Sequence, residues 1–238
     1  MPPDGIRLPA GIRACLFDMD GVLTDTATLH AAAYRHVFDE YLRRQAEPFR
    51  PFDAVDDYQQ YVDGRPRPDA IRSFLGSRGI TPDADTLAAL GDRSNQAFLD
   101  LLRRQPVDAF PDSVRLVNAV RSAGLRTAVV SSSANTRQVL EAAAISDLFD
   151  ARVDGVTIER DHLAGKPAPD AFLAAARELG ADPAAAAVFE DALAGVAAGR
   201  AGRFGYVVGV DRVGQASALY AQGADVVVSD LGDLLERS

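Results

Sequence analysis

One cysteine, Cys15, occurs in 238 residues. An intrachain disulfide is therefore excluded, and so is a cysteine-rich metal site. Cys15 lies inside an apolar run and reads as a packing residue. No apolar run reaches the roughly 20 residues that a bilayer-spanning helix needs. The segment Met1-Pro2-Pro3-Asp4-Gly5-Ile6-Arg7 lacks the basic-then-apolar layout of a secretory leader. Positive charge is also short: 34 acidic residues outnumber 25 basic ones, for a net charge of −9. No basic stripe with interleaved aromatics occurs, which argues against nucleic acid as a partner. A soluble, cytoplasmic protein with neither nucleic acid nor membrane as partner is expected.

Lysine is the scarcest charged residue. Lys166 stands alone beside 24 arginines, in Gly165-Lys166-Pro167-Ala168-Pro169-Asp170. An ammonium is a compact point charge and a guanidinium a planar fork, so the two are not interchangeable in a tight site. A chain so biased toward arginine that keeps one lysine points to a position requiring the ammonium.

What is present begins at Ala14-Cys15-Leu16-Phe17-Asp18-Met19-Asp20-Gly21. An apolar run stops at two aspartates spaced i, i+2, then at a glycine. On an extended segment Asp18 and Asp20 share one face, and Gly21 allows a sharp turn and close approach to a ligand. Two carboxylates on one edge repel unless a cation or a proton lies between them. The arrangement asks for Mg²⁺, for acid/base work, or for both, although an Asp-rich turn after a strand would use the same residues.

The length allows one large domain or a core with a smaller companion. After Asp25 the pattern is helical: Leu29, Ala33, Val37 and Tyr41 recur every four residues, widened by Tyr34, Phe38 and Leu42. A polar, proline-containing stretch from Glu47 to Asp57 is followed by helix-like runs at Ala70–Leu75 and Thr86–Arg104. Nothing between 27 and 107 reads as a strand. From Phe110 the texture alternates. Helices are expected over Asp112–Ala123, Thr136–Ala144 and Pro169–Leu179, with Gly124 and Gly180 as stop signals. Strands are expected over Arg13–Asp18, Leu125–Val130, Ala186–Phe189, Tyr206–Val210 and Asp225–Val228. Such alternation implies right-handed βαβ units and a mostly parallel sheet. The frequent alanines between Ala181 and Ala201 read as tight helix packing against that sheet. The expected fold is α/β, a Rossmann-like core of residues 1–26 and 108–238, with a small helical domain of residues 27–107 inserted after the first strand.

Each short strand runs into polar residues: the first into Asp18 and Asp20, Val129-Val130 into Ser131-Ser132-Ser133, and Val188-Phe189 into Glu190-Asp191. Open parallel sheets bind ligands outside the carboxyl ends of their strands. Lys166, in a loop before a helix, could reach the same edge. Two aspartates, a hydroxyl, an ammonium and an acidic pair suit Mg²⁺ held by oxygen beside a phosphoryl group. One carboxylate could then serve as nucleophile and form an aspartyl-phosphate.

This set resembles the four motifs of the haloacid dehalogenase superfamily of phosphotransferases, over nearly the whole chain. The resemblance implies Asp18 as nucleophile and Asp20 as general acid/base, whose backbone carbonyl also binds Mg²⁺. It implies Ser131 as the phosphate-binding hydroxyl and Lys166 as the group that stabilises the transferring phosphoryl. Glu190 and Asp191 would complete the metal site with Asp18 and Asp20. Dehalogenase members lack the second aspartate, so Asp20 points to phosphate chemistry. The helical insert is similar to the cap of the β-phosphoglucomutase branch, as is Asp20-Gly21-Val22-Leu23-Thr24-Asp25-Thr26 followed by His30. In that branch the histidine couples cap closure to proton transfer. Gly64-Arg65-Pro66-Arg67-Pro68-Asp69 resembles the segment whose arginine grips the substrate's distal phosphate, with Arg67 the better match and Arg65 the alternative. Thr26, His30, Ser132 and Asn135 join the implied substrate-binding set, and Gly209-Val210-Asp211-Arg212 fits the branch's general pattern.

Two departures stand out. Arg93-Ser94-Asn95 has Ser94 where the branch carries lysine, and Ala134 precedes Asn135 where mutases often carry another. Both remove positive charge from the expected sugar-phosphate pocket. Arg93 is a poor substitute, since an adjacent helix position points about 100° away. The expectation is Mg²⁺-dependent phosphoryl transfer on a small phosphorylated sugar by a monomeric enzyme, either a β-phosphoglucomutase or, with the same residues, a sugar-phosphate phosphatase.

Overall fold

A computed structural model describes residues 5–45 and 49–236. Met1–Asp4, on which the leader reading partly rests, and Glu47, where the polar stretch was expected to begin, lie outside the described residues. In chain order the elements open with β1 (Ala14–Phe17), α1 (Ala27–Gln45), α2 (Arg67–Ser77) and α3 (Ala84–Arg104). They continue with α4 (Pro111–Ser122), β2 (Arg126–Val130), α5 (Thr136–Ala142), β3 (Ala151–Val153), α6 (Gly155–Arg160) and α7 (Asp170–Glu178). The chain closes with β4 (Ala186–Glu190), α8 (Leu193–Ala201), β5 (Tyr206–Val210), α9 (Ala216–Gln222) and β6 (Val226–Val228). Two compact units are distinguished: residues up to Asp25 with those from Asp108 onward, and Thr26–Val107.

In the first unit the described strands form one parallel sheet in the order β3-β2-β1-β4-β5-β6. Parallel strands covered on both faces must be apolar throughout, and every residue of β1 and β4 is buried. Cys15 sits in this layer with no exposed surface, and burial pushes its thiol far above the ordinary range. Leu16, Val130, Val188 and Val207 pack with Phe172 of α7 and Val196 of α8 in one apolar core. The Phe17 ring stacks on Phe189 with centroids 4.4 Å apart. Ala174, Ala175 and Ala176 of α7 and Ala198 of α8 are buried in the same layer, where small side chains let a helix lie close to the sheet.

The sheet contains one strand the sequence pattern missed. Ala151–Val153 is three residues long with a single fully buried position, too short for an alternation signal. The chain runs from β1 outward through β2 and β3, then returns to the other side of β1 for β4, β5 and β6. The order therefore reverses between β1 and β4, where such sheets open a crevice at their carboxyl ends.

The second unit is helical. Phe38, Phe52 and Phe74 form its centre, with ring centroids 4.3–5.4 Å apart. Asp83 caps α3 by accepting from the Thr86 N–H at 2.7 Å. Residues 49–55 carry no regular element, yet the stretch is tied down. The buried Asp39 carboxylate accepts from the Phe52 N–H at 2.7 Å, and Asp57 pairs with Arg78 at 2.5 Å. It runs into a short π-helical turn, Tyr58–Val62, unforeseen because five residues show no helical period.

Phe74 has no exposed surface and touches both partner rings. Phe74→Ala is expected to lower stability by about 3–5 kcal/mol, measured as the shift in urea-unfolding midpoint of the full chain.

Candidate active site

The site is built from the place where β1 ends. The Asp18 N–H donates to the Phe189 carbonyl at 2.9 Å, extending the β1–β4 pairing one residue past Phe17. Asp18 is thus level with Glu190 on the neighbouring strand. The chain then turns tightly. Leu23 and Thr24 donate their N–H groups to the Met19 carbonyl at 2.8 and 3.0 Å, and Gly21 donates to Thr24 at 2.9 Å. Met19, between the two aspartates, is fully buried.

Lys166 joins this edge from the loop before α7. Its ammonium donates to Asp18 Oδ1, to Glu190 Oε1 at 2.5 Å and to the Val130 carbonyl at 3.3 Å. The aromatic face of Phe172 lies 4.9 Å from it. Lysine, aspartate and glutamate side chains are each at most 8% exposed. Burial alone would lower the Lys166 pKa; the charges of Asp18 and Glu190 outweigh it and hold the ammonium above its usual range. Burial drives the Asp18 carboxyl well above the ordinary aspartate range against the pull of Lys166, and Glu190 and Asp20 push the same way. Glu190 is anchored by its second oxygen, which accepts from the Ala192 N–H at 2.8 Å.

Asp18, Glu190 and Asp191 form a carboxylate cluster whose oxygens lie within 4.8 Å of one another. The cluster holds three carboxylates and one ammonium, which pairs with two of them, a balance that favours a divalent cation held by oxygen. Two glycines make the close packing feasible. A side chain on Gly21, whose φ is +78°, would begin 1.8 Å from Asp191 Oδ2, and one on Gly195 would begin 1.7 Å from Glu190 Oε1. The donor set and these clearances fit a hard metal ion. Gly195 was not singled out from sequence. Its only signal is its place five residues after Glu190, in the first turn of α8.

Ser131 follows β2 directly and is 1% exposed; its Oγ accepts from the Ser133 N–H at 3.1 Å. Ser132 is half-buried, and Asn135 is buried just before α5. The remaining candidates belong to the helical unit. Thr26 is buried and its carbonyl accepts from the His30 N–H at 3.1 Å. The His30 ring stacks on Phe98 at 4.0 Å. Arg67 donates to Ser94 Oγ at 2.8 Å and to Asn95 Oδ1 at 3.3 Å, with its guanidinium 5.7 Å from the Tyr34 ring centre. The Ser94 hydroxyl in turn donates to the Gly91 carbonyl at 3.0 Å, which turns a lone pair toward Arg67. Ser94 thus does more than delete a charge: it holds an arginine. Arg93 is ion-paired with Glu40 instead.

Comparison with known proteins shows the family. Residues 12–203 match the family model of haloacid dehalogenase-like hydrolases. A β-phosphoglucomutase of Mycobacterium tuberculosis is 54% identical over 97% of this chain and 94% of its own length. Another, from Bacillus subtilis, is 33% identical over 94% of this chain and 92% of its own. The crystal structure of a β-phosphoglucomutase from Clostridium difficile superposes with a TM-score of 0.78 at 26% identity, covering 94% of this chain and 93% of that one. The chain belongs to the haloacid dehalogenase-like hydrolase family of enzymes, and within it to the branch of these β-phosphoglucomutase relatives.

Gly21→Ala is expected to displace Asp191 and weaken divalent-cation binding by about 10–100-fold, read by isothermal titration calorimetry. Because burial raises the Asp18 pKa, a proton competes with a cation for this carboxylate below the raised pKa. Divalent-cation affinity is expected to strengthen as pH rises through the raised pKa, by up to about tenfold per unit for one displaced proton. Titrations in buffers of different ionisation enthalpy will count that proton; a pH-independent Kd would refute the competition.

Proposed function

We propose that the chain catalyses Mg²⁺-dependent phosphoryl transfer on a sugar phosphate, converting β-glucose 1-phosphate to glucose 6-phosphate through an aspartyl-phosphate on Asp18. The observation that carries this reading is the buried Lys166 ammonium bridging Asp18 and Glu190 at the reversal point of the sheet. The 54% identity to a β-phosphoglucomutase supports the choice of reaction.

In this reading an Asp18 carboxylate oxygen attacks phosphorus in line. The new bond is phosphorus to Asp18, and the bond that breaks joins phosphorus to the sugar oxygen. Lys166 and the Ser131 hydroxyl hold equatorial phosphoryl oxygens, so charge is neutralised where it accumulates. Asp20 gives its proton to the leaving oxygen and later takes one from the incoming alcohol. Asp18, Glu190, Asp191 and the Asp20 carbonyl would hold Mg²⁺, which would supply further neutralisation of the transferring group. Ser132 and Asn135 line the phosphate side.

Thr26–Val107 serves as the cap. Arg67 grips the distal phosphate, its fork held by Ser94 and Asn95, while Thr26 and His30 accompany closure of the cap. The enzyme acts as a monomer in the cytoplasm on a small phosphorylated sugar. The net charge of −9 supports a partner that is neither nucleic acid nor an acidic membrane surface. No helix of the described residues is long and apolar enough to cross a membrane.

The test is formation of glucose 6-phosphate from β-glucose 1-phosphate with Mg²⁺, with and without a sugar bisphosphate primer. Asp18→Asn is expected to fall to background, and Asp20→Asn to lose about 10²–10⁴-fold in kcat. Arg67→Ala is expected to raise KM about 10–100-fold through loss of charged hydrogen bonds. Phosphate release without isomerisation would assign the chain to the sugar-phosphate phosphatases.

A further inference from the structure

Two side chains of one loop, the segment after β5, reach the main chain of the site. Arg212 Nε donates to the Gly21 carbonyl at 3.0 Å, and Gln215 Nε2 donates to the Asp191 carbonyl at 3.0 Å. Gly21 directly follows Asp20, and Asp191 is one of the clustered carboxylates. The loop therefore bonds to both backbone segments that carry the acidic groups. These segments leave β1 and β4, and the sheet pairing between those strands ends at Asp18 and Glu190.

The loop holds its own shape. The Asp211 carboxylate accepts from the N–H groups of Val213 at 3.2 Å, Gly214 at 2.7 Å, Gln215 at 2.8 Å and Ala216 at 3.0 Å. The Arg212 guanidinium lies 4.0 Å from the centre of the Phe110 ring. It also donates to the Ser229 carbonyl at 3.2 Å and pairs with Asp230 at 3.4 Å. Stacking, ion pairing and the Asp211 turn thus set both arms before either meets the site. An arginine serving solubility alone would need none of these restraints, whereas a fork aimed into a turn uses the geometry that lysine lacks.

We infer that the Asp211–Gln215 loop is a positioning strap. It fixes the separation between the turn bearing Asp20 and the strand end bearing Asp191, and through it the cation affinity of the site and the aim of Asp20. Arg212 and Gln215 act through main-chain carbonyls and are positioning residues. Only the aim of Asp20 rests on the phosphoryl-transfer reading above; the carboxylate spacing does not.

The experiment uses the full chain with Arg212→Ala, Gln215→Leu and the control Val213→Ala, an exposed neighbour in the same loop. Mg²⁺ binding is measured calorimetrically without substrate, beside the Tm of the metal-free protein and the pH profile of kcat. Arg212→Ala and Gln215→Leu are each expected to weaken Mg²⁺ binding about 10–100-fold, as loss of partners behind metal ligands does. Val213→Ala is expected to match the wild type. Excess Mg²⁺ should restore kcat in Gln215→Leu but not in Arg212→Ala, whose pH profile should shift because Asp20 has lost its anchor. Millimolar guanidinium should recover part of the Arg212→Ala affinity where equal NaCl does not. Arg212→Lys, which keeps the charge without the fork, should also bind Mg²⁺ weakly and serves if the alanine variant does not fold. Unchanged Kd in the arginine and glutamine variants overturns the inference, as does a fall in Tm with Kd preserved. If Kd shifts while the wild type shows no phosphoryl transfer, the strap stands and the proposed function fails.

Discussion

The arrangement depends on one buried cation. Lys166 lies among Asp18, Glu190 and the Val130 carbonyl, with the Phe172 ring closing its apolar side. Burying an ammonium is costly unless it is paired and hydrogen-bonded, and burying two carboxylates side by side is worse. Each group makes the other tolerable. Removing one member of such a buried cluster typically costs about 3–5 kcal/mol, because the remaining charge keeps its desolvation penalty. A guanidinium is a planar fork and does not present the same compact point charge to the two carboxylates. The single lysine in an arginine-rich chain has a spatial reason.

The sheet supplies the rest. Parallel pairing of β1 with β4 puts Asp18 and Glu190 level, and pairing of β1 with β2 brings Ser131 to the same edge. The reversal of strand order between β1 and β4 leaves that edge uncovered by a crossover helix. Glycine then allows the acidic groups to crowd the main chain. At Gly21 and Gly195 the space where a side chain would begin is already held by carboxylate oxygen. The cluster carries more negative than positive charge, an imbalance that a divalent cation would offset.

The helical unit solves a different problem with the same logic. Arg67 is fixed by Ser94, Asn95 and the face of Tyr34, so its fork is ordered before any ligand arrives. Against the pattern of the resembled branch, Ser94 looked like a missing charge. Its contacts show a hydrogen-bond partner whose hydroxyl is itself oriented by the Gly91 carbonyl.

Local pattern was enough to find Asp18, Asp20, Lys166, Glu190 and Asp191. Each lies at the end of a run whose apolar character marks a buried strand, or, for Lys166, stands out by rarity. The α/β class and most elements were legible for the same reason: hydrophobic period depends on near neighbours in the chain. Ala151–Val153 and Tyr58–Val62 were not legible, being too short to express a period. Nor were the bonds of Arg212 to Gly21 and of Gln215 to Asp191, since their partners are distant in sequence and are carbonyls, which every residue has. By itself the sequence determined which chemistry-bearing residues exist and that they end buried strands. Only tertiary structure decided that Lys166 bridges two of them, that two glycines make room for carboxylates, and which loop braces them. Those outcomes depend on strand order and register, which are long-range properties of the folded chain.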